Sequence, residues 1–195
     1  MNLAAFESQP ILTTPRLILR PLLVSDAPTV QRLAGDRDVA ATTRLIPHPY
    51  PDGLAETWIS GLSERYARGE NASFAITLQE GPLIGSIGLL LSAADNHAEA
   101  GYWIGKPFWN HGYCTEAARA VLTFGFEQLE LARIFANYLA INPASGRVME
   151  KLGMQQEGRL RQHRLKWGEH IDLVVCGILR EEYLGGTKNT MKSAK

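Results

Sequence analysis

Residues 102–117 constrain the fold most, because they combine three patterns in the order YWIGKPFWNHGYCTEA. An apolar strand pattern ends in a loop, and Gly112, at the end of that loop, stands directly before a helical pattern. A glycine turn that opens a helix aims free backbone N–H groups at one point, and such a point binds anions. The sequence therefore predicts a phosphate-binding turn from Asn110 to Thr115.

Two common phosphate-binding motifs do not fit this turn. A nucleotide P-loop needs a glycine five residues before its Gly–Lys pair and Ser or Thr after it, whereas here the first glycine is absent and Pro107 follows Lys106. A dinucleotide-binding fingerprint needs three glycines, and the turn has only Gly112. The phosphates of a different cofactor are therefore expected.

The remaining patterns predict one mixed α/β domain over residues 12–183, with about seven strands and about four helices. Predicted strands cover residues 14–22, 72–78, 83–91, 98–104, 132–141, 154–165 and 170–179. Predicted helices cover 27–34, 52–69 with Asp52 as its cap, 114–129, and 142–153 with Asn142 as its N-cap. Short connections predict an antiparallel meander for 72–104, and the strand–helix–strand run 98–141 predicts a parallel pair. The proline-rich segment 36–51 is predicted to be a loop that walls a substrate site.

Composition argues against several classes of partner and leads us to expect a cytoplasmic protein. Twenty Lys and Arg balance twenty Asp and Glu, so no net field attracts nucleic acid or an anionic membrane. Two cysteines, Cys114 and Cys176, are too few for a disulfide framework. No apolar run could span a bilayer, no His/Cys cluster has metal-ligand spacing, and the polar, basic residues 185–195 are expected to be a disordered tail.

Five blocks of residues, taken in order, resemble the GNAT superfamily of N-acetyltransferases, in particular the ribosomal-protein N-terminal (Rim-type) branch. The blocks are residues 14–20, 98–104, 109–117, 142–151 and 158–161. The resemblance spans Leu12 to Tyr183 and implies the GNAT fold, a mixed and mostly antiparallel central sheet with flanking helices. It also implies acetyl-CoA as co-substrate, an amine as acceptor, and a monomer or homodimer.

The resemblance assigns cofactor contacts to residues 103–104 and 110–115. The family's pyrophosphate motif is Gln or Arg, two variable residues, Gly, one variable residue, and Gly or Ala; here Trp109, Gly112 and Cys114 stand at these positions, so two of three depart from it. Because backbone amides hold the phosphates, the contacts are still expected. They are assigned to Asn110, His111, Gly112, Tyr113, Cys114 and Thr115. The resemblance further implies that Trp103 and Ile104 border a slot for the pantetheine arm and supply a backbone N–H there.

Three further residues receive roles in catalysis or binding. Asn142 and Ser145 match the family's Asn-x-x-Ser element, in which the Asn contacts pantetheine and the Ser protonates the departing thiolate. Since a free thiol has a pKa of about 8.5, the acid must supply only about 2 kcal/mol near neutral pH. Glu99, in the strand before the cofactor turn, is the leading candidate for the general base.

The acceptor is ranked by the cost of deprotonating it. An amine must be neutral to attack, which at pH 7 costs nearly 5 kcal/mol for a lysine amine of pKa about 10.4 but only about 1 kcal/mol for an α-amine of pKa about 7.8. A peptide or protein N-terminus is therefore expected. Two alternatives stay open: a small amine such as an antibiotic or polyamine, and a catalytically silent acyl-CoA-binding regulator, which Trp109 and Cys114 favour.

Overall fold

The computed structural model describes residues 6–185. Over these residues, eight strands form one sheet: β1 (Leu12–Thr13), β2 (Leu17–Pro21), β3 (Asn71–Leu78), β4 (Leu83–Ser92), β5 (His97–Ile104), β6 (Arg133–Leu139), β7 (Gln155–Lys166) and β8 (Glu169–Leu179). The α-helices are α1 (Ala27–Ala34), α2 (Arg37–Thr42), α3 (Leu54–Ser60), α4 (Leu62–Ala67), α5 (Tyr113–Thr123) and α6 (Pro143–Lys151). Residues 180–185 are also helical.

The strands lie in the order β1-β2-β3-β4-β5-β6-β8-β7, and β5–β6 is the parallel pair among antiparallel neighbours. The chain between β5 and β6 passes through α5, as a crossover between parallel strands requires. The predicted parallel pair and the predicted meander are both confirmed. The expected mixed, mostly antiparallel central sheet with flanking helices is confirmed as well.

A helical layer covers each face of the sheet. α5 and α6 pack on one face, where Ala117, Val121, Leu122 and Met149 join the largest apolar cluster. α1, α3 and the start of α4 pack on the other face through a second cluster that includes Val30, Leu33 and Ile59. The apolar residues of α1 recur at helical spacing, so one stripe of that helix is buried. The site described below lies where the two layers approach through the sheet.

The segment 36–51, predicted to be a loop because of its prolines, contains the short helix α2. α2 begins after Asp36, whose carboxylate accepts hydrogen bonds from the backbone N–H groups of Asp38 and Val39. The prolines all follow this helix, in residues 47–51, so the helix ends before they restrict the chain. The prediction of a loop was therefore wrong for residues 37–42.

The predicted helix 52–69 begins differently and consists of two pieces. Asp52 is not its cap: Gly53, with φ of +76°, holds that position, while Asp52 Oδ1 accepts a hydrogen bond from Gln31 at 2.6 Å. The helix breaks at Gly61 into α3 and α4. A left-handed N-cap suits glycine, which has no Cβ to clash with the backbone.

Two other differences concern lengths and ends. β1 is a two-residue strand that adds an eighth strand to the seven expected. The predicted helix 114–129 is α-helical only to Thr123, and residues 124–128 form a π-helical turn before β6. The predicted disordered tail lies outside the described residues, apart from Gly185.

Candidate active site

β5 and β6 separate halfway along their length. Their parallel pairing ends at Ala100 with Ala136, whereas β5 continues beside β4 to Ile104 and β6 continues beside β8 to Leu139. A wedge-shaped slot opens between the two strands. It is part of a cavity of about 930 Å³ whose lining includes residues from both helical layers, so the cavity connects the two faces of the sheet.

Backbone N–H groups of β5 face this slot. The Gly105 N–H donates to the Ile84 carbonyl, on the β4 side, at 2.8 Å. Because backbone groups alternate in direction along a strand, the N–H groups of Tyr102 and Ile104 point to the opposite side, where β6 has moved away. The Ile104 carbonyl is also on that side and accepts the Trp109 Nε1–H at 2.7 Å. The slot thus offers donors to an oxygen that gains negative charge.

Trp103 is oriented opposite to Tyr102 and Ile104, so its backbone N–H points toward β4 and not into the slot. The register of β5 with β4 is continuous from His97 to Ile104, so no bulge changes the phase, and Glu99, Gly101 and Trp103 share one face. The Trp103 side chain packs against the α1–α3 layer. Of the two predicted slot residues, Ile104 therefore presents its N–H to the slot, while Trp103 lines the cavity from the opposite face of the sheet.

The start of α5 forms the predicted glycine turn. Gly112 has φ of +79° and stands at the N-cap, and Asn110 also has a positive φ of 63°. The cavity is lined by five of the six predicted turn residues, namely Asn110, Gly112, Tyr113, Cys114 and Thr115. The sixth, His111, stacks on Tyr113 with ring centroids 5.4 Å apart. The helix start therefore opens into the cavity with unpaired N–H groups.

The two residues that depart from the family motif have separate local roles. Trp109 anchors the turn to β5 through its hydrogen bond to Ile104 and packs against the largest core cluster. Cys114 is partly buried beside the same cluster, and burial raises the pKa of its thiol to about 12. At neutral pH this thiol is therefore uncharged and does not repel phosphate.

An ion pair from the beginning of the sheet locks this turn in place. Arg16 Nε donates to Glu116 Oε2 at 2.6 Å, and Arg16 Nη1 donates to the His111 carbonyl at 2.9 Å. The guanidinium also lies over the Tyr113 ring, 4.8 Å from its centroid. Sequence reasoning assigned neither Arg16 nor Glu116 to the site, because 100 residues separate them and only the fold brings them together.

Two basic residues of α6 line the cavity beyond the turn. Arg147 and Lys151 are four residues apart, so they lie on one face of the helix. Positive charge beside a phosphate-binding helix start favours a ligand with several phosphates. Sequence reasoning singled out neither residue, although both fall within a block that resembles the family.

The start of α6 is built as predicted. Asn142 is the N-cap, and its Oδ1 accepts the Ser145 N–H at 3.2 Å. Its Nδ2 donates to the Thr42 carbonyl, at the end of α2, at 3.1 Å. Pro143 occupies the first helical position, where its missing N–H costs nothing. Asn142 therefore connects the α6 side of the cavity to the segment that follows α2.

Ser145 pairs with a tyrosine that sequence reasoning did not assign. The Ser145 Oγ lies 2.9 Å from the Tyr102 hydroxyl, and either oxygen can be the donor. Burial raises the pKa of Tyr102 well above its usual value, so its hydroxyl stays protonated. If the phenol donates to Ser145, the serine keeps its own hydrogen for a group in the slot.

Glu99 lies at the other end of the cavity in a cluster of three polar side chains. Its Oε1 accepts from Arg44 Nη1 at 2.8 Å and from Asn137 Nδ2 at 3.1 Å. All three residues line the cavity, and the Glu99 side chain is 21% exposed. Among the described residues that line the cavity, Glu99 is the one carboxylate.

Segment 43–50, the acceptor wall, closes this end and is held by the β7–β8 hairpin. Lys166 Nζ donates to the carbonyls of Thr43 at 3.0 Å and Ile46 at 3.1 Å. Burial lowers the pKa of Lys166. The neighbouring Trp167 contacts His48, with ring centroids 6.0 Å apart. The predicted use of this segment as a cavity wall is consistent with its position, since Arg44, Leu45 and Ile46 line the cavity.

Within residues 6–185, no group of three or more His, Cys, Asp or Glu side chains could hold a metal ion. No helix in the same range combines the length and apolar character that a membrane span requires.

Comparisons with known proteins agree with this geometry. Residues 16–155 match the family described as acetyltransferase (GNAT) domain. Two Bacillus subtilis (strain 168) relatives are named "Uncharacterized N-acetyltransferase YoaA" and "Putative ribosomal N-acetyltransferase YdaF". The first is 31% identical over 88% of this chain and 97% of its own, and the second is 37% identical over 69% and 73%.

Solved structures share the fold closely. A GNAT-family acetyltransferase from Bacillus anthracis has 27% identity and a TM-score of 0.78, covering 88% of this chain and 99% of its own. RimL, a ribosomal L7/L12 α-N-protein acetyltransferase solved with coenzyme A, has 18% identity and a TM-score of 0.80 over 87% and 98%. A spermidine N-acetyltransferase from Vibrio cholerae, solved with CoA and spermine, has 22% identity and a TM-score of 0.77 over 88% and 99%.

The chain belongs to the GNAT acetyltransferase family, and its resemblance to the Rim-type branch is confirmed. It is an acetyl-CoA-dependent N-acetyltransferase.

Proposed function

We propose that residues 12–183 form a catalytic domain that transfers the acetyl group of acetyl-CoA to the α-amine of a peptide or protein N-terminus, by direct attack in a ternary complex. The observation that carries this proposal is the cavity through the sheet. One end has a helix start with basic residues, the other end has Glu99 as its carboxylate, and free backbone N–H groups lie between them.

The cofactor end fits coenzyme A in both charge and backbone geometry. The pyrophosphate would be held by N–H groups from Gly112 to Thr115, where the left-handed Gly112 lets the chain turn into α5. Arg147 and Lys151 would face the remaining phosphate charge. Asn110 and Tyr113 line the same end, and Asn142 would border the pantetheine arm. His111 contributes by its position within the turn, since its side chain stacks on Tyr113.

Bound acetyl-CoA would supply a thioester, whose carbonyl carbon is the electrophile. The chain's own contribution begins with the slot, where the Ile104 N–H points away from β4 and would donate to the thioester carbonyl oxygen. Because this donor is fixed in the strand, it needs no reorganisation when charge develops on the oxygen.

Ser145 is the proposed acid at the sulfur position. Its hydroxyl can donate to the leaving sulfur while Tyr102 donates to the serine oxygen. The task is small, since a thiol of pKa about 8.5 needs only about 2 kcal/mol of help near pH 7. Tyr102 is proposed as a positioning residue, because it acts through Ser145.

Glu99 is the proposed base for the acceptor amine. An α-ammonium of pKa about 7.8 loses its proton at a cost of about 1 kcal/mol at pH 7, whereas a lysine or polyamine ammonium costs several times more. The described lining offers one carboxylate, which Arg44 already contacts. A polycation would need more negative charge than this, so the lining favours an acceptor with a single positive charge.

A screen of acceptors with thiol release as readout tests the proposal. Peptides that begin with Ala, Ser or Met should release coenzyme A faster than lysine side chains or polyamines do. Acetyl-CoA alone should raise the melting temperature, because it binds the folded state. Binding without thiol release from any acceptor would favour the silent regulator, and turnover confined to polyamines would favour the small-molecule alternative.

A further inference from the structure

Arg44 faces the proposed base at the acceptor end of the cavity. Its Nη1 lies 2.8 Å from Glu99 Oε1, and the two side chains are 24% and 21% exposed. A cation therefore already occupies the place beside the carboxylate that an incoming ammonium needs. An acceptor must either share Glu99 with Arg44 or exchange partners with it.

The backbone around Arg44 is fixed from both sides. Asn142 donates to the Thr42 carbonyl at 3.1 Å. Lys166 donates to the carbonyls of Thr43 and Ile46 at 3.0 and 3.1 Å. These bonds hold the backbone just before and after Arg44. In this arrangement of the acceptor wall, the guanidinium and its positive charge lie at the acceptor end of the cavity.

We infer that Arg44 selects the class of acceptor, an inference that rests on the proposed function. In a peptide, the carbonyl carbon lies two bonds from the α-amine nitrogen. An ammonium group and a carbonyl oxygen that can accept a hydrogen bond therefore enter the cavity together. The ammonium replaces Arg44 on Glu99, and the guanidinium, which has five N–H donors, takes the carbonyl oxygen. A diamine offers a second ammonium instead of that oxygen, and Arg44 repels it.

The experiment measures kcat/KM for two probes, alaninamide and 1,4-diaminobutane, with acetyl-CoA saturating and thiol release as readout. The enzymes are the wild type, Arg44→Gln and Arg44→Lys. Glutamine removes the charge but keeps a hydrogen-bond donor, whereas lysine keeps the charge. For each enzyme, kcat/KM for alaninamide is divided by kcat/KM for 1,4-diaminobutane. Because every enzyme is given the same two amines, the difference between their pKa values cancels when these ratios are compared.

The wild type should prefer alaninamide, and Arg44→Gln should reduce that preference about tenfold, partly by a gain of turnover with the diamine. Arg44→Lys should keep the preference within about threefold of the wild type, because a lysine also repels the second ammonium. Damage to the acceptor wall alone would slow both probes equally and leave the ratio unchanged.

Two failures are distinguishable. An unchanged ratio in Arg44→Gln, or an equal change in Arg44→Lys, overturns the role of Arg44 and leaves the proposed function intact. A wild type that prefers the diamine, or that acetylates neither probe, overturns the proposed α-amine acceptor and with it this inference.

Discussion

The cofactor end of the cavity presents backbone groups at a helix start, whereas the acceptor end presents side chains that pair with one another. At the cofactor end, the N–H groups after Gly112 can bind phosphate whatever side chains flank them. At the acceptor end, Arg44 and Asn137 both donate to the same oxygen of Glu99, so a change of any of these three side chains alters the contacts of the others. The comparison explains how Trp109 and Cys114 can replace the family's residues at the cofactor end, and it places the proposed determinants of acceptor specificity at the other end.

The largest effect on turnover is expected from a substitution that changes the acceptor end alone. Glu99→Gln keeps an oxygen for Arg44 and Asn137 but removes the base, so kcat should fall at least about 100-fold. The acetyl-CoA Kd, measured by calorimetry, should be unchanged. Glu80→Gln, in an exposed turn, is the matched control and should retain full turnover. A Glu99→Gln enzyme with near-normal kcat would show that Glu99 is not the base.

A smaller loss of turnover is expected from substitutions of Ser145 and Tyr102, which lie where the two ends of the cavity meet. Ser145→Ala should lower kcat about 30-fold, equivalent to about 2 kcal/mol, with little change in cofactor affinity. Tyr102→Phe should cost less, and it should cost nothing further in the Ser145→Ala background, because the tyrosine acts through the serine. Additive losses in the double variant would contradict that dependence.

The cofactor end can be disturbed through its backbone. Gly112→Ala forces a Cβ onto a residue with φ of +79°, which costs about 1 kcal/mol or more and shifts the helix start. The acetyl-CoA Kd should rise about tenfold. Gly69→Ala is the control, since Gly69 also has a positive φ, of +67°, but does not line the cavity, so this variant should lose stability without losing affinity. Equal affinity in both variants would remove Gly112 from the phosphate site.

The smallest effect is expected at the ion pair between Arg16 and Glu116, which holds the glycine turn in place. Burial of Glu116 would raise its pKa, but hydrogen bonds from Thr14 and Arg16 hold the pKa below its usual range. Because the folded pKa is lowered, this stabilisation is complete above the unfolded pKa of about 4.3 and is lost as the pH falls through the folded value. Glu116→Gln should therefore cost about 1 kcal/mol of unfolding free energy at pH 7 and progressively less in acid. Urea titrations at pH 7 and pH 3 measure the difference.

The sequence predicted those features that repeat along the chain or occupy contiguous residues. The strands β3 to β5 with the short turns between them, the strand–helix–strand run through α5 and the Asn142 cap each depend on residues close together in the chain. The two-residue β1 is too short for any periodicity to show. The apolar spacing continues across Gly61 and Thr123, so periodicity did not show that the α-helices end there.

The same distinction applies to the site. Glu99, Ser145 and the turn residues could be proposed because each lies in a block that resembles a family. Arg44 and Glu99 are 55 positions apart, so only the fold shows that they touch. The Tyr102–Ser145 contact spans 43 positions and joins the start of α6 to β5. Contacts of this kind are set by topology, and a single sequence does not display them.

Asn142 links the helix that carries Ser145 to the acceptor wall, and we expect this link to couple the binding of the two substrates. One side-chain amide both caps the helix that carries Ser145 and holds the carbonyl of Thr42, beside the wall that meets the acceptor. A shift of that helix on cofactor binding would therefore move the wall. We expect acetyl-CoA to bind first and to lower the KM of the acceptor, an obligatory sequence that initial-rate and product-inhibition patterns measure. Asn142→Ala should make the order of addition random.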